Sequence, residues 1–134
     1  ATRNGFELAE SVLFISGIQH FAEIPEGMAT VPVYVKSFLQ ELPRHWDDVK
    51  FIDGYPGKYL VEARKAGDSW YVAGLNAEDA DKTLALDLSF ISNKKATLIT
   101  DGEGEREFTQ SEITASNVTA ITLKTKGGFV AVFK

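Results

Sequence analysis

From Trp46 to Asn76 the chain reads WDDVKFIDGYPGKYLVEARKAGDSWYVAGLN. Three runs in it, Val49–Asp53, Lys58–Lys65 and Trp70–Leu75, are rich in β-branched and aromatic residues and predict strands. Gly54, Pro56-Gly57 and Ala66-Gly67-Asp68 separate them as turns. The same rhythm continues to the C-terminus, with strands expected near Thr83–Phe90, Ala96–Thr100, Glu107–Thr109, Val118–Lys124 and Phe129–Phe133. Leu84, Leu86 and Leu88 alternate with Ala85, Asp87 and Ser89, one face inward and one outward. The last run, FVAVF, is apolar on both faces and reads as a central strand. Short strands at such spacing predict an antiparallel β-sandwich of about eight strands.

Upstream of residue 45 the period changes to that of a helix. Phe6–Ile18 is apolar around most of its circumference, and only Glu7, Glu10, Ser11 and Ser16 are clearly polar. Such a helix belongs inside something larger, with Gly17 as its C-terminal stop. A second helix is expected from Pro32 to Leu42, with Val35, Phe38, Leu39 and Leu42 as its stripe and Pro43 as its end. Pro25-Glu26-Gly27 reads as a turn between the two. The fold class is therefore mainly β, a sandwich preceded by two α-helices.

Composition narrows the function. The chain has 134 residues, 44% hydrophobic and 25% charged, enough for one real core. It is too short for a complete (β/α) barrel of ~250 residues. With 14 Lys and Arg against 19 Asp and Glu, the net charge of −5 leaves no basic excess for phosphates, which argues against nucleic acid. No run approaches a membrane span. The absence of Cys excludes disulfides and thiolate chemistry. Ala1–Gly5 lacks the basic and apolar regions of a signal peptide and an initiator Met, so either something has been removed or this is a piece of a longer chain.

Several phrases, taken in order, resemble the C-terminal end of glycoside hydrolase family 97, bacterial α-glucosidases and α-galactosidases. They are TRNGFELAESVLFISGIQHFAE, VKSFLQELPRHWDDVKFIDGYPGKYLVEARKAGDSWYVAGLNAE, LALDLSFI, ITDG and GGFVAVF. The resemblance covers essentially the whole chain and is most specific between Trp46 and Asn76. It implies that residues 1–45 are the end of a catalytic barrel and residues 46–134 a C-terminal β-sandwich domain. The family's catalytic and calcium-binding glutamates match no position here. The resemblance thus implies a non-catalytic module of a periplasmic or extracellular enzyme, with calcium expected only in the parent's barrel. The expected partners are that barrel and a homo-oligomer.

The chemistry-bearing side chains fit that expectation. Glu7 and Glu10 share a helix face, and a carboxylate pair is what a glycosidase acid and base require, but acids at a helix start also favour its dipole. His20 and His45 have no metal-ligand spacing. Asp47, Asp48 and Asp53 lack a calcium-loop pattern and read as caps and turns. Asp101-Gly102-Glu103-Gly104-Glu105 reads as a solvated acidic loop. No catalytic or metal-binding residue is assigned.

A carbohydrate-binding sandwich is the alternative, with Trp70 and Tyr71 as sugar-stacking candidates. They are adjacent in one strand and must face opposite sides, so both cannot hold one sugar. Trp46, Tyr55 and Tyr59 are further aromatics of this region. A small self-sufficient enzyme would need an acid cluster in a cleft, and the sequence shows none. The apolar first helix predicts self-association, with Leu8, Val12, Phe14 and Ile15 as its interface.

Overall fold

The computed structural model describes residues 2–14, 31–104 and 106–134. Helix α1 spans Asn4–Leu13 and helix α2 Val33–Gln40. Eight strands follow: β1 Asp48–Tyr55, β2 Tyr59–Ala66, β3 Ser69–Asn76, β4 Lys82–Leu86, β5 Lys95–Asp101, β6 Phe108–Thr114, β7 Thr119–Leu123 and β8 Gly128–Phe133. Six form an antiparallel sheet in the order β1-β2-β3-β8-β5-β6, and β4 pairs with β7 in a second, two-stranded sheet.

The six-stranded sheet is apolar on both faces and lies between two other layers. On one face Val61, Val72, Phe129, Ala131 and Phe133 meet Leu84, Leu86, Ile121 and Leu123 of the small sheet. On the other, Tyr71, Ala73, Leu75, Ile99 and Val130 meet Leu8, Val12, Val35 and Phe38 of the helices. The expected central position of FVAVF holds: β8 lies between β3 and β5, and its alternate residues feed the two cores.

The β1–β2 and β2–β3 hairpins turn on Gly57 and Gly67, whose φ of 77° and 59° a side chain would strain. Gly74 serves a different purpose. It stands opposite Phe129 in the register, and a Cβ there would come 2.5 Å from the Phe129 ring and 3.0 Å from Val61. Gly74→Ala is expected to cost about 1–3 kcal/mol by overpacking. Urea unfolding checks it, and an unchanged midpoint would place Phe129 elsewhere.

Three expected boundaries are corrected. Helix α1 ends at Leu13, not Ile18, because Phe14 takes extended backbone, φ −133° and ψ 141°; Gly17 and the turn at Pro25-Glu26-Gly27 lie outside the described residues. The strand expected over Thr83–Phe90 stops at Leu86. There the Asp87 carboxylate accepts the Ser89 N–H at 3.0 Å and starts a 3₁₀ turn over Ser89–Ile91, though Leu88 stays buried. The short strand at Glu107–Thr109 is the start of β6, which pairs with the whole of β5. Its two faces are largely polar and exposed, so no apolar alternation marked its length.

Candidate functional site

Helix α1 starts with no capping side chain of its own, for Arg3 precedes it without one. The sandwich supplies the acceptor. Asp101, at the end of β5, accepts the Gly5 N–H on Oδ1 at 2.7 Å and the Gly128 N–H on Oδ2 at 2.9 Å. One carboxylate thus satisfies an orphan donor of the helix start and ties it to the central strand. The approach needs glycines: a Cβ on Gly5 or Gly127 would collide with the Asp101 carboxylate, and one on Gly128 with the carbonyls of Gly5 and Gly74.

The other end of α1 is held from β2, where Arg64 Nη2 donates to the Leu13 carbonyl at 2.9 Å. A carboxylate at the N-terminus and a guanidinium at the C-terminus both complement the helix dipole. Arg106 adds a clasp at the start, donating to Asn4 Oδ1 at 2.9 Å and lying 3.4 Å from the Glu7 carboxylate. The Arg3 N–H and Nε donate to the carbonyls of Lys126 and Thr125 at 2.8 and 3.1 Å.

Asp101 is 3% exposed. Burial pushes its carboxyl above the usual value; the N–H groups of Gly128 and Gly5 and the charges of Arg3 and Lys124 pull the other way without cancelling it. By its sequence neighbours alone Asp101 belongs to a solvated acidic loop. Only the pairing of β5 with β8 brings it under α1, so nothing local signalled it.

The interface residues expected on α1 are placed differently. Leu8 and Val12 are buried against β3 and β8, because Tyr71, Ala73, Leu75 and Val130 form an apolar floor for them. Neither is available to a partner. Phe14 is 45% exposed, and Ile15 lies outside the described residues.

The sugar-stacking candidates do face opposite sides. Trp70 is half-buried against the inter-sheet core, edge-on to Phe90 at 5.0 Å. Tyr71 is buried in the helix-side core between Trp46 at 5.2 Å and Phe38 at 6.0 Å. Burial, then the Glu41 charge, raises its hydroxyl above the usual value. Tyr71 is largely enclosed by the helices that cover that side of β3, and its remaining surface lines a groove beside α2.

The other carboxylates serve the backbone. Asp47 accepts the Gly67 N–H at 2.7 Å, Asp48 the Val49 N–H at 2.8 Å, and Asp53 the Gly54 N–H at 2.8 Å and the Tyr59 hydroxyl at 3.1 Å. His45 is exposed, and His20 lies outside the described residues.

Two of the grooves on the described surface are apolar-lined and well formed. One, of about 780 Å³, runs between α2 and strands β5, β6 and β8, with Val33 and Phe38 on one wall and Ile99 and Val132 on its floor. The other, of about 460 Å³, lies at the β1–β2 turn and is lined by Phe51, Tyr55, Pro56, Leu60 and Leu75.

Residues 45–134 match the family model described as "Glycosyl-hydrolase 97 C-terminal, oligomerisation". The chain belongs to glycoside hydrolase family 97. It is the C-terminal region of that family's enzymes. It is 36% identical over 98 residues to a retaining alpha-galactosidase of Bacteroides thetaiotaomicron, covering 72% of this chain and 14% of that one. A probable retaining alpha-galactosidase of Streptomyces bingchenggensis is 31% identical over 133 residues, 98% of this chain and 21% of that one. The crystal structure of a beta-arabinopyranosidase superposes with a TM-score of 0.80 at 30% identity, over 98% of this chain and 21% of its own. The family 97 region described here thus spans about a fifth or less of its relatives' length.

Proposed function

We propose that this chain is the non-catalytic C-terminal module of a family 97 glycosidase, that it braces the catalytic barrel through α1, and that it contributes to self-association. The observation that carries the reading is the double clamp on α1, with Asp101 at one end and Arg64 at the other. A helix anchored so firmly to the sandwich makes a rigid joint to whatever packs on its outer face, where Phe6, Glu7 and Glu10 are partly exposed. On this reading residues 1–45 belong with the barrel and residues 46–134 are the sandwich domain.

The supporting chemistry is what the carboxylates already do. The Glu7 carboxylate is engaged by Arg106, and the Asp carboxylates of β1 are spent on backbone N–H groups. Among the described residues no three His, Asp or Glu side chains gather as metal ligands. The purified chain, assayed with aryl α-galactosides, α-glucosides and β-arabinopyranosides with and without calcium, is expected to show no turnover above a heat-treated control. Turnover that disappears in Glu7→Gln would overturn the reading.

A further inference from the structure

The helices do not cover the whole face of the sheet on which they lie. Helix α1 packs mainly on β3 and β8. Beside α2 a strip of β5, β6 and the end of β8 stays open, and it is the base of the groove of about 780 Å³. The register places its side chains. Thr97 stands opposite Glu112, and Ile99 stands opposite both Gln110 and Val130, so all five lie on the helix-facing side. Ile99 and Val130 are buried and make an apolar floor. The wall is one face of α2, on which Tyr34, Ser37, Phe38 and Glu41 follow one another at helical spacing.

The neutral polar groups of this groove are unspent. Elsewhere such groups are bound to the backbone: Asn76 Nδ2 donates to the Ala80 carbonyl, and the Thr119 and Thr125 hydroxyls donate to the carbonyls of Ser116 and Glu78. In the groove the Tyr34, Ser37 and Thr97 hydroxyls and the Gln110 amide have no hydrogen-bond partner among the described residues. The charges at the rim cancel. Lys95 lies 4.0 Å from Glu112 and Lys134 lies 3.9 Å from Glu41, so the groove offers no net charge to an anion or a cation.

We propose that this groove is a saccharide-binding site that takes a short, neutral oligosaccharide of pyranose units. A pyranose carries C–H groups on its ring faces and hydroxyls around its edge. The apolar floor and the Tyr34 ring suit the first, and the uncommitted hydroxyls and amide suit the second. A fatty acyl chain would leave those polar groups unpaired. The volume falls within the ~300–1,000 Å³ of small-molecule clefts. Of the two aromatic candidates in β3, Tyr71 lines this groove and Trp70 faces the other side of the sheet. The site goes beyond the bracing role of α1 and uses a different surface of the module.

Titration of the 134-residue chain with maltotriose and with melibiose, up to about 20 mM and followed by amide chemical shifts, tests it. The expected result is saturable shifts at Tyr34, Ser37, Thr97 and Gln110, with a dissociation constant of about 1 mM. Tyr34→Ala and, separately, Thr97→Val/Gln110→Leu are expected to weaken binding about tenfold or more. The double variant should keep the wild-type melting temperature, because both side chains are exposed. Tyr55→Ala, in the groove at the β1–β2 turn, is expected to leave the affinity unchanged. The absence of saturable shifts with either sugar overturns the proposal. So does a folded Thr97→Val/Gln110→Leu chain that binds as wild type, or binding that is lost in Tyr55→Ala. Shifts of the same amides on raising the protein concentration without sugar assign the groove to a second copy, and that also overturns it. The clamp on α1 and the absence of turnover are read by other measurements, so the module's proposed role stands or falls separately.

Discussion

Asp101→Ala is expected to lower the unfolding free energy by about 2–5 kcal/mol. Its carboxylate is the acceptor for two buried N–H groups, those of Gly5 and Gly128. Each buried donor left unpaired costs about 1–3 kcal/mol. Against a total stability of about 5–15 kcal/mol for a domain, that is a large fraction. The loss should concentrate where α1 joins the sheet, so amide exchange in α1 should quicken more than in β8. Urea denaturation with circular dichroism gives the magnitude. A change below about 0.5 kcal/mol, the ordinary surface effect, would mean that the clamp is not formed in solution.

The same residue sets a pH dependence of definite sign. Burial, the largest influence, raises the Asp101 carboxyl above its ordinary value of 3.8, against the pull of the two N–H groups. The folded chain therefore holds this proton at a pH where the unfolded chain has released it. The contribution is full below the unfolded value and is lost as pH rises through the folded one. Asp101→Asn cannot titrate and keeps one acceptor oxygen. The stability difference between wild type and this variant is expected to move in favour of wild type as pH falls from about 7 towards about 4. A difference that moves the other way would show that the N–H donors outweigh burial.

Val12→Asp is the second large effect, with an expected cost of about 3–5 kcal/mol, that of an uncompensated buried charge. Val12 is 1% exposed within the core shared by α1, β3 and β8. The carboxylate would have to stay neutral or pull the helix off the sheet. The expected readout is a lower urea midpoint and proteolytic cleavage within α1, without any effect specific to association. A variant as stable as wild type, whose only change is loss of a dimer, would put Val12 on the outside and reverse the packing described here.

The strands were legible because burial on a sheet repeats every two residues. Leu84, Leu86 and Leu88 are buried and their neighbours exposed in the order the alternation implied. The five apolar residues of FVAVF can be accommodated only in a strand covered on both sides, and β8 is one. The opposite facing of Trp70 and Tyr71 follows from the same geometry. The two helices were legible by their period, and the family by the run from Trp46 to Asn76.

What the sequence could not carry depends on residues distant along the chain. The apolar circumference of α1 implies a surface for a partner, but the floor that receives Leu8 and Val12 is built by β3 and β8, more than fifty residues away in the chain. Asp101 looked like one more acid in a polar loop until β5 and β8 paired and brought Gly5 and Gly128 to its two oxygens. Arg64 is an ordinary strand residue except that the end of α1 lies within its reach. Local pattern determined which segments are strands and helices and which of their faces are apolar, because those properties arise from neighbours within one element. The order of the strands, the burial of α1 and the clamp on its two ends were decided only by the assembled layers, because each joins groups that meet only after the chain has folded.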